Sequence, residues 1–292
     1  MSSVIRPAQP ADIEPICAML HEKMNAKFPV ERWRRLMTYP WMEDKPDLGR
    51  VVEDNGNILG FVGMVYSKRV VEGASETFVS ISSWFLDRSM RGQGLGAGLM
   101  AAATDDPRIT FTNVTSSDRV LPIVDAVGYR VLDDHRYLWR KKGRPDPRLR
   151  CEWDVEAIRG RLGEDERRLI ADHAGLPVRP VLVETGEHRA LLFFSVKQKG
   201  SDVTYFDLLH TGDGALLAGH GQALADAILP DGAVVLAADC RFVANDSIDR
   251  RAPDGAEREA LPVPRYYKST RLAPARIDLL YSELQLLDLK LY

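Results

Sequence analysis

The chain reads as a mixed α/β (α+β) protein with a mostly antiparallel central sheet flanked by helices, and three stretches carry that expectation. Asn55-Gly56 separates two apolar runs, Arg50–Glu53 and Ile58–Tyr66, and both turn residues tolerate the positive φ of a tight hairpin. An apolar run from about Thr77 to Leu86 leads through Arg91-Gly92-Gln93-Gly94-Leu95-Gly96 into an alanine-rich segment ending near Ala103, a strand–turn–helix pattern. Lys141-Lys142-Gly143-Arg144-Pro145-Asp146-Pro147-Arg148 then combines two prolines with clustered cations, the composition of a linker.

The remaining elements follow in order. Ser3–Arg6 predicts a short strand. Ile13, Ile16, Cys17, Leu20 and Met24 share one helical face, which predicts an amphipathic helix near 10–25 behind Pro10. Val30, Trp33, Leu36 and Met37 predict a second helix near 30–39. Arg108–Val114 predicts a strand, Val120–Val127 a helix closed by Gly128, and Tyr129–Arg140 extended chain. Beyond the linker, Val155–His173 and Leu216–Leu229 predict helices. Val181–Glu184, Ala190–Lys197, Val203–Leu209, Ala233–Ala238 and Arg265–Thr270 predict strands. Pro274 opens a predicted helix with Ile277, Leu280, Tyr281 and Leu284 on one face, and 287–291 alternates like a strand. The expected domains are 1–142 and 150–292, joined by 143–149.

The 292 residues suffice for one large domain or two ordinary ones, and 45% hydrophobic with 28% charged residues is the balance of a soluble globular protein. A net charge of −3 argues against a nucleic-acid partner. The first residues hold no apolar core of signal-peptide length, and no run is long enough to span a bilayer, so a cytoplasmic protein is expected. Cys17, Cys151 and Cys240 lie too far apart for a metal knuckle or a disulfide framework, and no metal is expected.

The glycine turn carries the chemistry. Glycines let the backbone lie against a ligand, and a helix N-terminus aims free N–H groups and its positive dipole end at an anion. Gly92-x-Gly94-x-x-Ala97 also fits a relaxed dinucleotide fingerprint. That motif, however, follows the first strand of a βαβ unit and wants an acidic residue after the next strand, where this chain has Thr112-Asn113-Val114. A glycine-rich connection holding no ligand is the remaining alternative.

The element order around Arg91–Gly96, the opening Ile5-Arg6-Pro7-Ala8-Gln9-Pro10-Ala11-Asp12-Ile13 and the closing Asp125-Ala126-Val127-Gly128-Tyr129-Arg130 resemble the GNAT superfamily of acyl-CoA-dependent N-acyltransferases over residues 3–140. The resemblance implies acetyl-CoA or coenzyme A as co-substrate. The backbone of Phe85 and Leu86 would pair with the pantetheine arm. The amides of Arg91, Gly92, Gln93, Gly94, Leu95, Gly96 and Ala97 would hold the pyrophosphate, with charge from Arg91 and Arg88. It further implies attack of a small amine or amino sugar directly on the thioester.

The family's usual acid and base do not transfer. The tyrosine position of its last helix falls on Val124, and the central strand offers Ser80, Ser82 and Ser83 with no carboxylate before Asp87. Ser82 and Asp118 are the catalytic candidates, beside Ser116 and Ser117 as residues that could order a water. A satisfied strand hydroxyl or a helix N-cap is the simpler account of each. A non-catalytic acyl-CoA-binding module or a complex-forming scaffold is therefore the alternative function. A homodimer is left open, and no membrane partner is expected.

The second half repeats the element order without the arginine–glycine turn. Thr211-Gly212-Asp213-Gly214 stands in its place, and an acidic residue there disfavours phosphate. The expectation is a degenerate GNAT-like repeat, with an unrelated α/β domain as the alternative.

Overall fold

The computed structural model describes residues 3–200, 202–243 and 252–291, with the side chain of Asp118 excepted. Two compact units share the chain, and neither is one continuous stretch. The first comprises the chain up to Val131 with Arg265–Leu272 and Tyr281–Leu289; the second comprises Leu132–Pro264, Ala273–Leu280 and the residues from Lys290. The expected linker 143–149 lies within the second unit, so the boundary falls earlier than the proline-rich composition suggests.

The first unit opens with β1 (Val4–Pro7), α1 (Ile13–Met19) and α2 (Val30–Arg34), followed by β2 (Gly49–Asp54), β3 (Asn57–Val71) and β4 (Ala74–Leu86). β1 to β4 pair antiparallel in sequence order. Asn55 and Gly56 take φ +50° and +78° between β2 and β3, and Glu72 and Gly73 take φ +53° and +81° between β3 and β4, so each hairpin turns on two left-handed residues. Then come α3 (Leu95–Ala103), β5 (Ile109–Asn113) and α4 (Leu121–Ala126).

β5 runs parallel to β4. Its other neighbour is the end of a much later strand, with Tyr266, Tyr267 and Lys268 facing Asn113, Thr112 and Phe111. Val62, Met64 and Tyr66 of β3, Val79 and Ile81 of β4, and Leu99 and Met100 of α3 form one buried cluster. Full burial of one such aliphatic side chain contributes about 1.5–3 kcal/mol.

The second unit contains β6 (Arg130–Trp139), β7 (Arg150–Glu152), α5 (Val155–Arg159), α6 (Glu164–Asp172), β8 (Arg179–Glu184), β9 (Arg189–Lys199), β10 (Val203–Thr211), α7 (Gly214–Ile228), β11 (Val234–Asp239) and most of β12 (Glu257–Lys268). β7 to β10 pair antiparallel in order, β11 runs parallel to β10, and β6 pairs antiparallel with β11. Its order β7-β8-β9-β10-β11-β6 matches β1-β2-β3-β4-β5-β12 of the first unit. In each unit the strand beyond the parallel pair comes from elsewhere in the chain.

Four expectations change. The predicted helix over 155–173 is two, α5 and α6, because Gly160 and Gly163 interrupt it. The second helix stops at Arg34 rather than 39. Pro274 opens only one 3-10 turn, Ile277 is already extended, and α8 (Glu283–Leu286) follows later. Residues 287–291 form no strand. The tail's apolar residues are buried from several sides, so their spacing mimics a helical face without producing one.

Candidate functional site

The parallel pairing of β4 with β5 runs from Thr77 opposite Ile109 to Ser80 opposite Thr112 and then ends. β4 continues beside β3 to Leu86, so its other edge presents unpaired backbone past Ser80. At the parting, Ser83 takes φ +47°, and Ser83 and Trp84 together face the single residue Val62, a β-bulge that bends the strand away. A cavity of about 220 Å³ opens there, lined among others by Ile81, Ser83, Trp84, Asn113, Thr115 and Ser116.

The glycine turn lies at the far end of the same strand. Gly92 and Gly94 take φ +80° and +76°, and a Cβ built on either would meet nothing within 4 Å. Gly94 is the N-cap of α3 and supplies no side chain to its first amides, which remain open to an external anion. Arg91 Nε donates to the Leu86 carbonyl at 3.1 Å, and Gln93 Nε2 to the Ser89 carbonyl at 3.4 Å, so both side chains brace the turn. Asp87 accepts from the Ser89 amide and pairs with Lys23 at 2.7 Å, and these partners hold its carboxyl well below the usual range.

Phe85, Leu86 and the Arg91–Ala97 turn thus lie on one strand–turn–helix path, with Gly96 facing Leu86 and Trp84 at 3.8–3.9 Å from a built Cβ. Ser82 is among the cavity residues, but its buried hydroxyl lies against Gly63, where a Cβ would sit 2.6 Å from Oγ, and it has no hydrogen-bond partner. The Asp118 side chain lies outside the described residues. Ser116 Oγ donates to Asn113 Oδ1 at 2.7 Å, while Asn113 Nδ2 is buried without a partner. Val124 is fully buried in the core.

One group escaped sequence reasoning. Glu283, the first residue of α8, is 1% exposed, and its carboxylate accepts from Ser80 Oγ and from Thr115 Oγ1, each at 2.7 Å. Burial pushes its carboxyl up, against the two hydroxyls that pull it down. The Tyr129 hydroxyl is also buried without a hydrogen bond, and burial, followed by the Glu283 charge, raises it. The one available sequence signal was a lone glutamate inside the apolar run Leu279–Leu287.

The second unit closes both corresponding features. Its parallel pairing ends at Asp207 opposite Ala237, and β10 bulges at Leu209. There the Leu279 amide donates to the Leu209 carbonyl at 3.0 Å, so the chain occupies the strand edge itself. Asp207 accepts from Lys199 Nζ at 2.7 Å, with Arg136 3.8 Å away. At the start of α7, Asp213 Oδ1 accepts from the Ala215 amide and Oδ2 meets His188 Nδ1 at 2.6 Å, so a carboxylate already caps that helix. Elsewhere in this unit, donor atoms of Asp134, His135 and Cys240 lie within 4.8 Å of one another. Cys240 Sγ donates to Asp133, however, and an Arg258 nitrogen lies 3.3 Å from His135 Nδ1, a cation where a metal would need its own place.

Among the described residues, no helix is long and apolar enough to cross a membrane. No curated protein matches the chain significantly. Among solved structures, a conserved protein of unknown function from Enterococcus faecalis V583, called a probable N-acyltransferase, matches with TM-score 0.57 and 13% identity over 94% of this chain and 74% of its own. A GCN5-related N-acetyltransferase from Anabaena variabilis ATCC 29413 matches with TM-score 0.55 and 11% identity over 91% and 72%. Another from Kribbella flavida matches with TM-score 0.52 and 11% identity over 92% and 72%. At such identities the likeness concerns the fold. The acetyltransferase (GNAT) family model matches residues 14–108, which include β4, the glycine turn and α3. The part of this chain that is similar in sequence to the acetyltransferase (GNAT) family is thus residues 14–108.

Proposed function

We propose that the protein is an acyl-CoA-dependent N-acyltransferase that takes acetyl-CoA in its first unit and transfers the acetyl group to a small amine or amino sugar. The observation that carries this reading is the parting of β4 from β5 beside an uncapped helix N-terminus. The free strand edge past Ser80 offers N–H and C=O groups to the pantetheine amides in the manner of an added strand. The amides from Arg91 to Ala97 take the pyrophosphate, and the open space at Gly92 and Gly94 admits it. The cavity beyond Ile81 then receives the thioester and the amine.

None of the residues lining that cavity is a cysteine, which supports direct attack by the amine without an acyl-enzyme. The second unit is a degenerate repeat on this reading, its helix already capped by Asp213 and its strand edge by Leu279. Val124 in place of a tyrosine favours one further reading, a module that binds acyl-CoA without turnover.

Isothermal titration with acetyl-CoA and coenzyme A, followed by thiol release with spermidine, glucosamine and phenethylamine, tests both. Binding with release supports the transferase, and binding without release over the whole panel supports the module. Absence of binding removes both.

A further inference from the structure

A buried carboxylate normally faces a cation or stays neutral, because removing a charge from water costs several kcal/mol. Among the described residues, no cation pairs with Glu283; its partners are the Ser80 and Thr115 hydroxyls. Thr115 lines the cavity and Ser80 is the last β4 residue paired with β5, so the carboxylate lies one hydrogen bond behind the cavity wall. Each hydroxyl donates its proton to a different carboxylate oxygen. The Thr115 oxygen keeps its lone pairs for a hydrogen-bond donor in the cavity. The Tyr129 phenol is the other titratable group whose charge interaction with Glu283 is felt in the buried core.

We propose that Glu283 is the proton acceptor of the transfer reaction, acting through the Thr115 hydroxyl; this rests on the acyltransferase reading above. As the amine nitrogen bonds to the thioester carbonyl carbon and the carbon–sulfur bond breaks, an amine proton passes to Thr115 Oγ1. The Thr115 hydroxyl proton passes to Glu283 Oε1 in the same movement. The departing thiolate is protonated from Glu283 by the reverse path, so the products are an amide and a free thiol and the carboxylate is restored. Glu283 does not reach the cavity, so it is a positioning residue that orients Thr115 and holds the proton. A carboxylate whose burial raises its hold on a proton can do this where a serine or threonine alone cannot.

The test is Glu283→Gln, which keeps the shape, accepts from one hydroxyl through its amide oxygen and donates to the other through its NH2, but cannot take up a proton. Acetyl-CoA affinity is measured by titration, and kcat by thiol release with the fastest amine of the panel across the pH range. The expected result is an acetyl-CoA Kd within about twofold of the parent, with kcat lower by about 100-fold. The acid limb of the kcat profile is also lost. Thr115→Val gives a similar loss, and the double variant falls little below either single one, because both act in one relay. Glu283→Gln with parental kcat and an unchanged acid limb overturns the proposal while leaving the transferase reading intact. Loss of acetyl-CoA binding in step with activity also overturns it, since Glu283 would then be a structural tie. A parent protein that neither binds acetyl-CoA nor releases thiol overturns the transferase reading, and this proposal with it.

Discussion

The Ser80 hydroxyl donates to Glu283 Oε2 at 2.7 Å, joining the central strand to a helix 203 residues later in the chain. The tail is thus an integral part of the first unit, and the segment with recognisable family sequence ends well before a carboxylate that its own β4 holds.

That carboxylate has a sign-definite effect on stability. Its folded-state pKa is raised, so the folded protein binds the proton more tightly than the unfolded chain does. The associated stabilisation is present in full below the unfolded value of about 4.3 and is lost as pH rises through the raised folded value. Glu283→Gln should therefore melt higher than the parent at about pH 8. The gap should close toward about pH 4, where the parent glutamate is protonated. A lower melting temperature for the variant at both pH values would refute this.

Gly94→Asp should fold, since a built Cβ meets nothing and aspartate is among the residues that tolerate a left-handed φ. Its carboxylate would stand at the α3 N-terminus, where like charges about 4 Å apart near a protein surface repel by about 4 kcal/mol. Coenzyme A affinity should drop at least tenfold, judged from that ~4 kcal/mol. Gly94→Asn, equally tolerant of the backbone but uncharged, should lose much less. Equal affinities for the two variants would show that the turn does not hold phosphate.

Titration with coenzyme A should saturate at one molecule per chain. Asp213 and Leu279 already satisfy the helix start and strand edge of the second unit. Two equivalent sites would contradict the contrast between Gly94 and Asp213.

Lys199 and Asp207 form a buried ion pair in the second unit. Lys199→Met leaves the Asp207 carboxylate facing Arg136 alone at 3.8 Å and should cost about 3–5 kcal/mol in denaturant unfolding. Adding Asp207→Asn removes the stranded charge and should recover part of that loss. A double variant less stable than Lys199→Met would contradict the buried-charge account.

Local chemistry explains what the sequence disclosed. The Asn55-Gly56 hairpin, the strand ending at Leu86 and the glycine turn depend on neighbouring residues, and each occurs where its residues predict. What stayed hidden depends on distant pairing. Nothing near Asn113 announces that Tyr266 will lie beside it. Nothing in the spacing of Ile277, Leu280 and Leu284 tells a helix from an extended segment buried on several sides. Glu283 stayed hidden because its hydrogen bond to Ser80 of β4 spans 203 residues of sequence.

The Leu209–Leu279 hydrogen bond gives the tail a double employment. Leu279 acts as a plug for an edge of the second unit, and four residues later Glu283 buries its carboxylate against Ser80 and Thr115 of the first. A frameshift or proteolytic nick near Ala273 would unseat both at one stroke. The end of this chain is therefore as much a shared component as any core strand, and a shortened protein cannot stand in for the whole.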